Sequence, residues 1–560
     1  MRVSRRTLLA TAAAFGLSGR VRGVASIEPE TGFPLDSGII NVKNYGAVGD
    51  GIKDDTAAIL AAIAAIPIYD KSHIMRTTIV YFPTGTYLVS DTIIRKTADA
   101  DPYYSNLPLF GDGRAHTKIK LANSATGFGD AGKLKPVIQT CSHNYLGLLV
   151  ANGGGNEGFL NFVENMTIDL GTGNPGAVGI DNISNNTGSI RDVDIVTHGA
   201  ASAGIAMPRV LIGPCLYSDV NIKGPFAVGM DFTRMFCNVV LENITIDGAT
   251  GYGIRNRQTV LNFNNLHINM VGGVGIANID PDALPNVWDS ANEGLIVGLN
   301  GTITGTGTAA LVNTASINFK NVRAVDFVVG GVPVMESYDG IYHGRTKVGD
   351  PEWSLPVKYP PAAPAISTSQ WTKVTAPVFP ADATAALRMA FANPNAKIVY
   401  VPNGIYKFSQ AIDVADNIER IEGMFSIFIN ATSVPNTPTF RTSLTRTKTL
   451  HVRHCIGEAG YVGAGSSGGL VRHRSPNAKL VMRSCTALGT PIVWREPKAG
   501  ELYCEDVQGT HAFIYGAAGA WFRQLNLEIA TTKMTIDAAP VWILGYKTEA
   551  LSTGLVITGG

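Results

Sequence analysis

"NMTI" at residues 165–168 recurs as "DVDI" at 192–195, "DVNI" at 219–222, "NITI" at 243–246 and "NLHI" at 265–268. The successive spacings are 27, 27, 24 and 22 residues. Each copy is Asn or Asp, an apolar residue, any residue, then Ile, and reads as a short strand with alternate side chains inward. The gaps hold turn-rich pieces such as "GTGNPGAVGI" (171–180) and "GATGYGI" (248–254). No gap resembles a ten-residue helix, so a parallel sheet built on helical crossovers is excluded. A sandwich would show hairpin turns and no fixed period. Short strands every 22–27 residues without helices predict a parallel β-helix, whose coils stack about 4.8 Å apart. On that spacing Cys215 and Cys237 would stack one rung apart.

The C-terminal part repeats in the same way. "KLVMRSCTAL" (479–488), "ELYCEDVQG" (501–509), "WFRQLNLE" (521–528) and "VWILGYKTE" (541–549) recur at about one coil each. Between the two runs, "GDPEWSLPVKYPPAAPAISTSQW" (349–371) is rich in Pro and Ser and reads as an extended linker. Beyond it, "FPADATAALRMAF" (379–391) and "IVYVPNGIYKFS" (398–409) echo "GDGIKDDTAAILAAIAAI" (49–66) and "TTIVYFPTGTYLVSDTI" (77–93). The expected organisation is a first β-helix domain over 38–350, a linker over 351–370 and a smaller second β-helix over 371–560. In the first copy Asp54, Asp55 and Thr56 directly precede an apolar helical run. They suit a helix start, where carboxylates meet free N–H groups, better than a metal site. That helix would cover the open end of the solenoid and protect its strand edges.

Lys and Arg number 45 against 44 Asp and Glu, a net charge of +1, which offers no basic field for nucleic acid. "SRRTLLATAAAFGLSG" (4–19) places Arg5 and Arg6 before a short apolar run, and "GVAS" (23–26) offers small residues for cleavage after Ala25. Residues 1–25 are therefore expected to be a twin-arginine signal peptide, giving a periplasmic or extracellular protein. No later run is long and apolar enough for a membrane helix, and a monomer is expected. The six cysteines form no CxxC or Cys/His cluster, so no metal or cofactor is expected and the thiols should be buried and unpaired.

"YGAVGDGIKDDTAAI" (45–59) followed by "VYFPTGTYLVSDTI" (80–93) resembles the N-terminal cap of the pectate-lyase-like right-handed β-helix superfamily. That group includes polygalacturonases, polysaccharide lyases and phage tailspikes. A cap and β-helix occurring twice resembles the family 55 glycoside hydrolases, β-1,3-glucanases whose two β-helices pack side by side. The resemblance extends over nearly all of the mature chain. It implies an all-β fold of two right-handed solenoids, each with a short capping helix, and an inverting, exo-acting hydrolase. It implies a glutamate of the second β-helix as general acid, and another about one coil earlier holding the attacking water with polar side chains of the first. Two departures stand out. The second cap, "FPADATAAL", lacks the full glycine and aspartate set, and the family's first-half glutamine falls in "DNISNN" (181–186), where Asn182, Asn185 or Asn186 would substitute.

Inverting hydrolysis needs two carboxyls about 6.5–9.5 Å apart. Glu505 and Glu528 are 23 residues apart, and Glu549 lies 21 further on. Glu528 is assigned as acid and Glu505 as the group that positions water, with Glu549 the rival for either role. Gln524, Asn526 and Glu528 alternate along one face, and Arg523 and Lys547 are in reach to hold like charges together. With Asn182, Asn186 and Trp542 they form the expected substrate-binding set. An outward ladder of Glu and Lys, and aromatic core packing at Trp521 and Trp542, are the bland readings of the same residues. Asp169, Asp181, Asp192 and Asp194 form a first-half acidic group, but the "NTD" and "GHG" signatures of polygalacturonases are absent. Two alternatives share the fold: a lyase acting on an acidic glycan by β-elimination, and a non-catalytic carbohydrate-binding protein. In each the partner is a polysaccharide or oligosaccharide.

Overall fold

The residue that opens each repeat adopts a left-handed backbone. Asn165, Asp192, Asp219, Asn243 and Asn265 have φ between 52° and 61°, and the column continues at Asn300 and Asn321, both at 56°. Asn and Asp visit this region because their short polar side chains bond locally. One such residue per coil turns the chain between two extended stretches. The residues after it then point inward and stack: Met166, Val193, Val220, Ile244 and Leu266 in one file, Ile168, Ile195, Ile222, Ile246 and Ile268 in the next. Side-chain amides run along the column. Asn243 Nδ2 donates to Asp219 Oδ1 (3.0 Å), Asn265 to Asn243 (2.9 Å) and Asn321 to Asn300 (2.7 Å).

This computed structural model describes residues 32–67, 75–96, 103–143, 153–209, 213–232, 238–279, 294–352, 356–459, 468–528, 532–548 and 553–559. In the first half, parallel strands from Ile40–Asn41 to Ser316–Val329 form one long sheet, and strands from Ile93–Ile94 to Ala309–Asn313 form a second of eight. The second half repeats the plan, with strands from Thr372–Lys373 to Val541–Thr548 and a seven-stranded sheet from Ile412–Val414 to Thr553–Thr558. The chain is thus two parallel β-helices, and each has its own apolar interior. The second solenoid also has a left-handed column, at His454, Ser484, Asp506 and Gln524 (φ 49–55°) and then Gly545 (φ 78°). Its mixed residue types hide it in the sequence. Cys215 stacks on Val239, not on Cys237, because that coil is 24 residues long; Cys237 lies outside the described residues. Cys141, Cys455, Cys485 and Cys504 are buried thiols. Among the described residues no helix is long and apolar enough to cross a membrane. The twin-arginine segment lies outside the described residues.

The two caps share their wiring. Helix α1 (Thr56–Ala64) starts where Asp54 accepts from Thr56 N (2.9 Å) and Ser90 Oγ (2.5 Å). Helix α2 (Thr384–Phe391) starts where Asp382 accepts from Thr384 N (2.8 Å) and Ser409 Oγ (2.6 Å). Tyr87 donates to Pro83 O and Tyr406 to Pro402 O, each at 2.8 Å. Asp55 departs from its expected role. It makes no capping bond to the helix; buried, it clasps the preceding loop through Val48 N (2.8 Å) and Gly49 N (2.9 Å). Ala383 stands in its place in the second cap, which lacks that clasp. Ile59 and Ile63 of α1, and Leu387 and Phe391 of α2, bury themselves in their own solenoid's core.

Replacing Asn243 tests the column. Asn243→Gly keeps the backbone and loses the two amide bonds, an expected cost of about 1–3 kcal/mol. Asn243→Val adds a β-branched side chain at positive φ and is expected to cost about 1–2 kcal/mol more in chemical denaturation.

Candidate functional site

Outward side chains of the two solenoids meet face to face. On the second, successive rungs align Val481, Tyr503, Trp521 and Trp542 in one file and Arg483, Glu505, Arg523 and Leu544 in the next. Past the left-handed column, a third file holds Thr486, Gln508, Asn526 and Lys547. The first solenoid opposes them with Ser189, Leu216, Val240 and Asn262, and with Glu164, Arg191, Ser218, Glu242 and Asn264. Gly545 leaves no room for a side chain at this contact: a Cβ there would fall 2.1 Å from Val240 Cγ2.

The centre of this contact is a buried charge network. Arg523 Nε donates to Glu242 Oε2 (2.5 Å), and Asn264 donates to the other oxygen (3.0 Å). Glu505 Oε2 accepts from Arg483 Nε (2.9 Å) and lies 3.5 Å from Arg191 Nη1 across the interface. Burial alone would push Glu505 up, but Arg483, Arg191 and Arg523 outweigh it and hold its carboxyl well below the usual range. Asp506 accepts from Gly188 N (3.2 Å) of the first solenoid, and burial pushes it up to about 7 against the pull of that bond and of Arg191.

The two edges of the contact differ. At one, the linker lies along the seam: Pro356 O accepts from Trp521 Nε1 (3.0 Å), Lys358 O from Arg523 (2.7 Å), and Tyr359 OH from Asn264 (3.0 Å). At the other end of the same strands, Glu528 Oε1 accepts from Asn526 Nδ2 (2.9 Å) and contacts Lys547 Nζ. Lys547 also donates to Asn186 Oδ1 of the first solenoid (3.3 Å), and Thr187 Oγ1 meets Thr486 Oγ1 at 3.0 Å. Glu528 retains 9% of its exposure. This edge is the candidate site: a carboxylate, an ammonium and two amides converge from both solenoids.

The structure therefore joins four of the expected residues, Glu528, Asn526, Lys547 and Asn186. It separates the others. Glu505 pairs along the rung with Arg523, because that coil is 18 residues long, so Glu505 and Glu528 stand in different files on either side of the left-handed residue. Glu505 is 4% exposed and sits in the ion network, with Oε2 facing Arg483 and Arg191. Asn182 turns into the first solenoid, bonding Tyr217 OH (2.8 Å) and Thr140 (3.1 Å). Gln524 occupies the left-handed column, fully buried at the interface, with neither amide atom hydrogen-bonded. Arg523 serves Glu242, and Trp542 is half-buried against Leu544 and Val240. Glu549 lies outside the described residues. The first-half aspartates are dispersed: Asp181 pairs with Arg209 (2.8 Å), Asp194 with Arg114 (3.0 Å) and Asp169 with His198 (3.4 Å). Asp192, in the left-handed column, is pushed up to about 7 by burial and the adjacent Asp219. Glu242 is the residue that spacing could not find, since its partner lies 281 positions away.

Residues 39–277 match the family described as rhamnogalacturonase A/epimerase, pectate lyase-like. Three curated relatives are similar over short stretches. A non-secreted LysM effector of Penicillium expansum is 39% identical over 111 residues, 19% of this chain and 8% of that protein. A probable glucan endo-1,3-beta-glucosidase of Arthroderma benhamiae is 43% identical over 90 residues, 16% of this chain and 9% of that protein. A mannuronan C5-epimerase of Azotobacter vinelandii is 40% identical over 87 residues, 15% of this chain and 6% of that protein. The chain spans no more than a tenth of the length of the curated relatives it matches. Among solved structures, the A-module of a mannuronan C-5 epimerase from Azotobacter vinelandii aligns over 93% of this chain and 98% of its own, at 12% identity and a TM-score of 0.24. The catalytic unit of a GH87 alpha-1,3-glucanase from Streptomyces thermodiastaticus aligns over 95% and 71%, at 11% identity and a TM-score of 0.25.

Two substitutions test the interface. Arg523→Met leaves Glu242 buried without its cation and is expected to cost about 3–5 kcal/mol in denaturant unfolding, with Glu242→Gln recovering much of it in the double variant. Asp506 ionises near 3.9 when unfolded and near 7 when folded, so between those pH values the folded state binds more protons. Stability from this group thus falls as pH rises from about 4 to about 7. Asp506→Asn is expected to flatten that fall in melting temperatures recorded across the range.

Proposed function

We propose that the protein is an exported enzyme that cleaves a polysaccharide at the edge built by Glu528, Asn526, Lys547 and Asn186. The observation that carries this reading is the convergence on Glu528. Its carboxylate is held by an ammonium and an amide of the second solenoid, and the same ammonium reaches an amide of the first. A glycan lying along this seam would touch both solenoids at once. The match of residues 39–277 to a pectate-lyase-like family supports a carbohydrate substrate.

The finer reading is glycoside hydrolysis with inversion, as in exo-acting β-1,3-glucanases. Glu528 protonates the leaving oxygen, and Asn526 and Lys547 fix the position of its carboxyl. Glu505 stands in a different file from Glu528, so the second carboxylate is Glu505 acting from that file or its rival Glu549. Lys547 is the observation that favours the alternative, because a cation at the site would neutralise a uronate for β-elimination.

The test is a reducing-end assay on laminarin, with ultraviolet absorbance followed on a polyuronate. Wild type is expected to release reducing ends without new absorbance. Glu528→Gln should lower kcat about 10²–10⁴-fold, the range of a lost acid–base group. Full activity in Glu528→Gln would sink the site assignment. A new ultraviolet band would move the reaction to the lyase class, and silence in both assays would leave a binding protein.

A further inference from the structure

The same interface encloses a second feature, away from Glu528. Between the last coils of the two solenoids lies a cavity of about 310 Å³, within the size range of small-ligand sites. Its walls include Trp542 and Leu544 of the second solenoid, Asn262 and Leu299 of the first, and Glu352 of the connecting segment. Trp542 stands before the left-handed Gly545 and Lys547 after it, so this cavity and the Glu528 edge lie at opposite ends of one strand.

Three properties of the lining restrict what fits. Trp542 is half-buried and, with Leu299 and Leu544, offers a flat apolar surface. Asn262 is 9% exposed, and its Nδ2 has no hydrogen-bond partner, so a buried donor is left for a guest oxygen. A buried donor left unmet is costly, which favours a guest that accepts from it. Glu352 is exposed and, among the described residues of the lining, is the one charge, a negative one. Arg523 lies 5.0 Å from the Trp542 ring centroid, but its charge is paired with Glu242.

We propose that this cavity binds a neutral glycosyl unit. A pyranose ring has one apolar face for the indole and hydroxyls at its rim, one to accept from Asn262 Nδ2 and one to donate to Glu352. A uronate would bring its carboxylate toward the negative charge of Glu352, and the nearby Arg523 guanidinium is already paired with Glu242. The ligand class rests on the carbohydrate reading above, but binding here does not require that Glu528 be catalytic. The site selects neutral over acidic glycans.

The experiment is calorimetric titration of the full chain carrying Glu528→Gln, with laminaritriose and with trigalacturonate. Laminaritriose is expected to bind, and trigalacturonate at least tenfold more weakly. Asn262→Leu removes the donor and Leu299→Trp fills the space; each should weaken laminaritriose at least tenfold. Glu352→Gln, an exposed change that the fold tolerates, should weaken it several-fold, and Glu352→Lys should raise trigalacturonate affinity. Unchanged affinity and stoichiometry in Leu299→Trp and Glu352→Gln would overturn the proposal, as would tighter binding of trigalacturonate. If wild type fails to cleave laminarin while these binding changes appear, the catalytic reading falls and the cavity stands. If cleavage occurs and the binding changes do not, the reverse holds.

Discussion

One backbone constraint organises this molecule: a single left-handed residue in each coil. It sets where the strand turns, and hence which side chains enter the core and which face outward. Because the turn recurs at the same place on every rung, outward residues form straight files. The files of one solenoid can then meet the files of the other along their length. Glu528 and Trp542 take their places from this geometry, one after the turn on its rung and one before it on the next.

The contact between solenoids is unusually charged for something so buried. Bringing Glu242, Glu505, Arg191, Arg483 and Arg523 out of water is expensive, and their mutual attraction recovers the cost only with close geometry. Burial raises Glu242 despite Arg523, whereas three arginines hold Glu505 low. Such a network adds little net stability, but it penalises any misalignment, because a slip of one rung would oppose like charges. It acts as a register key between two otherwise smooth columns. The linker is fastened along one edge and leaves the Glu528 edge uncovered by it.

Much of the fold was legible in the sequence, and less of the site. The repeat at 165, 192, 219, 243 and 265 was visible because the left-handed position there is always Asn or Asp. The duplication was visible because both caps keep an aspartate, a threonine and the tyrosine above a proline. In the second solenoid the same position is His, Ser, Asp, Gln or Gly, so coil lengths had to be counted from strand composition. That count placed Glu505 over Glu528, whereas the 18-residue coil places it over Arg523. Asn182 follows the strand Ala177–Asp181, where alternation no longer fixes the direction of a side chain, and it bonds within the first solenoid. Asn526, Glu528 and Lys547 were singled out by alternation and coil spacing, and Asn186 through the family resemblance. Partners such as Glu242 and Arg523 lie on different solenoids and leave no local signal.

Coil length in the first solenoid changes from 22 residues before Asn265 to 35 between Asn265 and Asn300, and returns to 21 before Asn321. The rungs do not notice: Phe263 still stacks on Gly298 and Ile268 on Ile303. The longer coil therefore shifts no file. Doubling a loop costs only about 0.6 kcal/mol in closure entropy. Insertions and deletions can accumulate one coil at a time, each altering a single stretch of the molecular surface. A lineage built on this plan can change what it grips by editing loop lengths, long before it must alter a residue of its core.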